Sequence, residues 1–173
     1  YSKFDGGRND TIRYDSPKLG PVGLAASVSS DSRWSAAAKA KTALGGGQLS
    51  AGLGYVHTSG YDQWTMSASY LFSQGTSIGG YYGTRDSSND PQSWAITLGH
   101  KWGPHAVAVT YAEGDDQGGA DTDGEGYGVE YVHTLKKVNT QLYIGYRHAE
   151  YDAPGASYED HDHVAIGARV KFD

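Results

Sequence analysis

Along this chain, large apolar residues recur at every second position in some eleven short segments, with small or polar residues between them. Trp64, Met66, Ala68, Tyr70 and Phe72 form one such row, and Trp94, Ile96, Leu98, His100 and Trp102 another. Period two over roughly ten residues is what a tilted strand needs to cross a bilayer with one side in lipid and the other in water. The pattern predicts strands at Thr11–Ser16, Val22–Ser30, Trp34–Ala43, Gln48–His57, Gln63–Phe72 and Thr76–Arg85. Further strands are predicted at Ser93–Trp102, His105–Ala112, Gly126–Thr134, Thr140–His148 and His163–Phe172. Ala36-Ala37-Ala38-Lys39-Ala40-Lys41 also has high helix propensity, but ten residues between Trp34 and a triple-glycine turn match the neighbouring strands.

The joints alternate between two kinds. Leu19-Gly20-Pro21, Leu44–Gly47, Ser73–Gly75, Gly103-Pro104 and Leu135–Asn139 are short. Ser30–Arg33, Thr58–Asp62, Asp86–Gln92, Glu113–Glu125 and Ala149–Asp162 tend to be longer and more acidic. Tight turns on one rim and longer polar loops on the other are the mark of an up-and-down membrane barrel. The expected fold is therefore all-β, a transmembrane antiparallel up-and-down β-barrel wall. A soluble barrel would show the same alternation with its apolar row inward; Trp and Tyr placed towards strand ends favour lipid.

Composition sharpens this picture. Of 173 residues, 25 are Gly and 14 Tyr but only 3 Phe, which suits aromatics at two interfaces and small residues facing an unfilled lumen. No run approaches eighteen apolar residues, so no transmembrane helix is expected. Cysteine is absent, which removes disulfides, thiolate metal sites and thiol nucleophiles. The formal charge of −6 argues against a nucleic-acid partner. The chain opens at Tyr1 with no export signal, as a processed or incomplete chain would.

Arg8-Asn9-Asp10-Thr11-Ile12-Arg13-Tyr14-Asp15-Ser16-Pro17-Lys18-Leu19-Gly20 resembles the stretch that follows the constriction loop in Gram-negative general porins. The later strands resemble that family by pattern, down to an aromatic residue near the C-terminus, although Asp173 follows Phe172. The resemblance implies a trimeric, sixteen-stranded barrel in the outer membrane that passes small hydrophilic solutes and ions by passive diffusion, without cofactors. It implies that residues 1–7 are the tail of the constriction loop and residues 8–173 the wall, from strand six to strand sixteen. The first five strands are then expected upstream of this sequence, because an odd-numbered wall of eleven strands does not close in the usual way.

Strand parity places Arg13, Lys39, Lys41, Arg85, Lys101, Arg147, Arg169 and Lys171 on the lumen side, with Asp15 and Glu130. A base facing lipid near the midplane would cost about 2–4 kcal/mol, so their shared parity supports the assignment. The resemblance implies an arginine cluster on the wall; Arg13, with Arg8 just before it, matches best, followed by Lys39 and Lys41. Asp5 and Asp10 are candidate partners. Lys171 reads as an ordinary rim charge. Net charge selectivity is not legible here, and the expectation is small hydrophilic solutes without strong charge discrimination.

Asp121, Asp123 and Glu125, within the acidic stretch Glu113–Glu125, could take part in calcium binding, although a solvated outer loop accounts for them without a metal. The resemblance also implies that such acids bridge through divalent cations to lipopolysaccharide. Glu159-Asp160-His161-Asp162-His163 has metal-compatible side chains but lacks a distant third ligand. No nucleophile elbow or interpretable Ser-His-Asp spacing supports an outer-membrane hydrolase. The stronger alternative to a channel is a structural or anchoring barrel piece whose edges are covered by another protein.

Overall fold

In the computed structural model, residues 10–156 and 158–170 are described. They form one antiparallel meander of eleven strands, each bonded to its neighbours in sequence. The strands are β1 (Thr11–Asp15), β2 (Val22–Ser29), β3 (Trp34–Leu44), β4 (Gly47–His57), β5 (Asp62–Leu71) and β6 (Thr76–Asp86). They continue as β7 (Gln92–Trp102), β8 (His105–Asp115), β9 (Asp123–Leu135), β10 (Thr140–Asp152) and β11 (His161–Val170). The Ala-rich segment is strand β3, with Ala36, Ala38 and Ala40 opposite Tyr55, Leu53 and Ala51 of β4. Residue-by-residue pairing on both sides outweighs the helix preference of its alanines, since strand preference is set by neighbours. At the β3–β4 joint, Gly45 (φ 56°) and Gly46 (φ 82°) supply the two left-handed positions that a two-residue hairpin turn requires.

The two rims differ as the alternation predicts. Joints at 16–21, 45–46, 72–75, 103–104 and 136–139 lie on one rim; 30–33, 58–61, 87–91, 116–122 and 153–160 lie on the other. On the longer rim β8, β9 and β10 run furthest beyond the predicted bounds. β8 continues to Asp115, β9 begins at Asp123 and β10 continues to Asp152, so much of the expected acidic loop is ladder. There Glu113 lies opposite Glu125, Glu125 opposite Glu150, Asp115 opposite Asp123, and Asp123 opposite Asp152.

No apolar interior exists among the described residues: the single buried hydrophobic side chain is Ala95. The large apolar side chains lie instead on the convex face, with Leu98 55%, Val109 51%, Met66 50% and Ile144 46% exposed. A contiguous apolar band of that extent is unstable in water and stable in hydrocarbon. Aromatic rings border it. Trp34, Tyr55 and Trp64 form one contact chain (centroids 5.0 and 4.5 Å), and Trp94 meets Tyr111 at 5.6 Å, all towards the long-loop rim. Tyr70 with Phe72, and Trp102 with His105, occupy the short-turn rim. Trp94 and Trp102 are eight residues apart, about 27 Å along the strand at ~3.4 Å per residue. A tilt of about 40° reduces this to roughly 20 Å, close to the height of the apolar band of an outer-membrane barrel.

Candidate functional site: the concave face

The opposite parity of each strand builds a concave face of small and hydroxylated residues. One cross-strand row runs from Lys41 through Ser50, Ser69, Gly79, Thr97, Thr110 and Gly128 to Arg147. The next runs from Lys39 through Gly52, Ser67, Tyr81 and Ala95 to Ala112. Facing hydroxyls bond each other across strands, as in Ser27–Ser35 at 2.7 Å and Thr97–Thr110 at 2.9 Å. Small side chains cannot fill the space enclosed by the curved sheet. A cavity of about 940 Å³ remains, lined by Lys18, Lys39, Lys41, Ser50, Ser69 and Thr97 among others. It is a water-accessible trough of small and hydroxylated residues, with Lys18, Lys39 and Lys41 at one side.

Seven strand bases take this parity: Arg13, Lys39, Lys41, Arg85, Lys101, Arg147 and Arg169. Two strand acids share it, Asp15 and Glu130. Among the described strand residues no Lys or Arg takes the convex parity. The acids sort the other way: Asp62, Asp86, Glu113, Asp115, Asp123, Glu125, Glu150, Asp152 and Asp162 are convex, and all sit at the long-loop rim. There they receive the polar tips of the aromatic belt. Tyr55 donates to Asp62 (2.7 Å), Trp94 Nε1 to Glu113 (3.2 Å), Tyr111 to Glu125 (2.8 Å) and Tyr146 to Asp162 (2.5 Å).

The candidate residues are distributed along the wall, with one close group. Lys39 and Lys41 share the cavity with Lys18, a turn residue that strand parity does not assign to either face. Arg13 is held by Asp15 on its own strand through two bonds of 2.8 and 2.7 Å, rather than by Asp10. That exposed pair neutralises much of its charge while adding little stability. Arg85 donates to Gln63 Oε1 (2.9 Å) and lies 4.1 Å above the Tyr61 ring at the long-loop rim, which fixes its guanidinium. Lys101 stands at the other rim opposite Ala106; Glu130 faces Ala108 and Gly145; Arg147 faces Gly128 and His163; Arg169 faces Gln141. Arg8, Asp5 and Lys171 fall outside the described residues.

The acidic calcium candidates take separate places. Asp123 and Glu125 are convex strand residues, whereas Asp121 lies in the 116–122 turn with positive φ, its N–H donating to Asp116. Among the described residues, the metal-capable side chains that converge are His148, Glu150 and Asp160.

A family model described as Gram-negative porin matches residues 1–154. No curated protein matches the chain in sequence. Among solved structures, Pseudomonas aeruginosa OccK10 (OpdN) superposes with a TM-score of 0.75 at 13% identity, over 96% of this chain and 62% of that one. The anion-selective porin from Comamonas acidovorans gives 0.72 at 19% identity, over 95% and 60%. A BenF-like porin from Pseudomonas fluorescens Pf-5 gives 0.67 at 14% identity, over 86% and 50%. The chain thus spans about 50–62% of the length of these structures, and the likeness shows a shared antiparallel barrel fold.

Proposed function

This chain belongs to the Gram-negative porin family, and on that premise we propose that it forms the wall of a water-filled channel through which small hydrophilic solutes diffuse passively, with a bias towards anions. It is an outer-membrane β-barrel chain and not an enzyme; porins pass solutes without chemistry. One observation carries the reading: on each described strand that holds a Lys or Arg, the base lies on the face opposite the large apolar side chains, so the face that avoids hydrocarbon is the basic one. Like charges along a narrow wall concentrate counter-ions, and seven bases against two acids give this part of the wall a positive sign. That goes further than the even-handed passage expected from sequence. The Comamonas acidovorans relative is described as anion-selective, which agrees with that sign.

Lys39 and Lys41, both lining the cavity and Lys39 within electrostatic reach of Asp15, are the proposed charge filter, with Arg147 across the row of Lys41. Arg13 and Arg85 are held by neighbours and act as fixed rather than mobile charges. β1 and β11 each pair on one side only within this sheet. We infer that further wall strands cover both edges in a sixteen-stranded barrel, and that three copies associate with lipopolysaccharide around them. The weak, Ala-rich convex row of β3 is the proposed contact between copies.

Planar-bilayer conductance of the purified protein tests this reading. Discrete steps with a reversal potential on the anion side are expected, and Lys39→Glu with Lys41→Glu moves that potential towards cations. Protein that folds in membranes yet conducts nothing would favour the structural-anchor reading suggested by the two open edges.

A further inference from the structure

The run Glu159–His163 lacks a distant ligand in sequence, and strand register supplies one. His148 of β10 lies directly opposite Asp162 of β11 on the convex face, and Glu150 is two residues further along β10. His148 Nδ1 is 2.9 Å from Asp162 Oδ1, and its Nε2 is 2.8 Å from Glu150 Oε1. The ligand atoms of His148, Glu150 and Asp160 all lie within 4.8 Å of one another. The Tyr127 ring stacks on the imidazole at 5.0 Å, and the His148 side chain is only 15% exposed.

We propose that His148, Glu150 and Asp160 form a binding site for a borderline divalent transition ion such as zinc on the outer rim, with Asp162 as the residue that positions His148.

The chemistry follows from the imidazole. Asp162 Oδ1 also accepts the Tyr146 hydroxyl (2.5 Å), so it is an acceptor towards His148 and Nδ1 carries the proton. Nε2 faces a Glu150 carboxylate oxygen at hydrogen-bond distance, so a protonated ring donates to both carboxylates, and a metal ion binds by displacing the Nε2 proton and taking its place between the imidazole and Glu150. A carboxylate that orients a histidine while the other ring nitrogen takes the metal is the usual outer-shell arrangement of histidine sites. One imidazole nitrogen with two carboxylate oxygens suits zinc or a neighbouring first-row ion, whereas calcium prefers oxygen alone. Three protein ligands leave a coordination position for water on the exposed side. Glu150 also stands opposite Glu125 of β9; like charges so placed destabilise a sheet, and a bound cation offsets their repulsion. The site is on the convex side and does not depend on the channel reading.

The test uses the full-length protein, purified folded in detergent, with zinc competed against a chromophoric chelator. One zinc per chain is expected, with His148→Ala abolishing binding at this site. Glu150→Gln, Asp160→Asn and Asp162→Asn should each weaken it roughly 10- to 100-fold, while heat-modifiable gel mobility confirms a folded barrel. Cobalt substituted for zinc should give a visible d–d spectrum that His148→Ala removes. Equal competition by calcium, or binding unchanged by His148→Ala, overturns the proposal. Loss of binding only on replacing His161 and His163 also overturns it, because those side chains take the concave parity. If His148→Ala fails to fold, the Glu150→Gln and Asp160→Asn affinities decide: wild-type values in both refute the site.

Discussion

Replacing Leu98 with arginine should cost this protein far more than the same change one residue earlier. Leu98 lies four residues from Trp94 and four from Trp102, at the centre of the convex apolar band, with Ile78 and Val109 opposite it. Arginine at that depth in a lipid-facing strand costs about 2–4 kcal/mol, a change of roughly 30- to 700-fold in the folded-to-unfolded ratio. Thr97 points into the concave trough beside Thr110. Thr97→Arg should lose about 1 kcal/mol of hydrogen bonding at most and leave the barrel folded. Equilibrium unfolding by guanidinium in lipid vesicles, with the full-length protein, measures both. Equal costs, or a larger cost at Thr97, would refute the assignment of faces.

Other expectations test particular parts of the wall. All four tryptophans, Trp34, Trp64, Trp94 and Trp102, take the convex parity; brominated lipids should quench their fluorescence strongly, and aqueous iodide only weakly. Gly47→Ala should destabilise the β3–β4 turn by about 1–3 kcal/mol, since a Cβ there would stand 2.6 Å from the Leu71 carbonyl oxygen; guanidinium midpoints in vesicles check this. Arg85→Lys should raise single-channel noise more than it alters mean conductance, because lysine cannot keep both the Gln63 bond and the broad stacking on Tyr61.

The strand-and-face pattern was legible because lipid and water impose opposite demands on neighbouring residues. Each row from Ile12 to Ile166 repeats that contrast, and even the Ala-rich β3 yields to it. The outer rim was less legible. Beyond Ala112 the alternation continues as Glu113-Gly114-Asp115 and Asp123-Gly124-Glu125, but both partners are then polar and the contrast disappears. Glycine alternating with carboxylate was the available signal that the ladder extends past the membrane. Lys18 was hidden for another reason: a turn residue has no parity, and only the curvature of the sheet brings it to Lys39. The approach of His148 to Asp160 and Asp162 depends on the register of β10 against β11, which no local pattern encodes.

The absence of native cysteine makes one measurement especially direct. Single cysteines placed in turn from Ser93 to Lys101 on β7, in folded protein reconstituted in vesicles, can be reacted with a charged, membrane-impermeant thiol reagent. Fast labelling is expected at 97, 99 and 101 and strong protection at 94, 96, 98 and 100, while the buried positions 93 and 95 should label slowly. Uniform labelling, or the same alternation shifted by one residue, would contradict a lipid-facing convex row and a water-facing basic one.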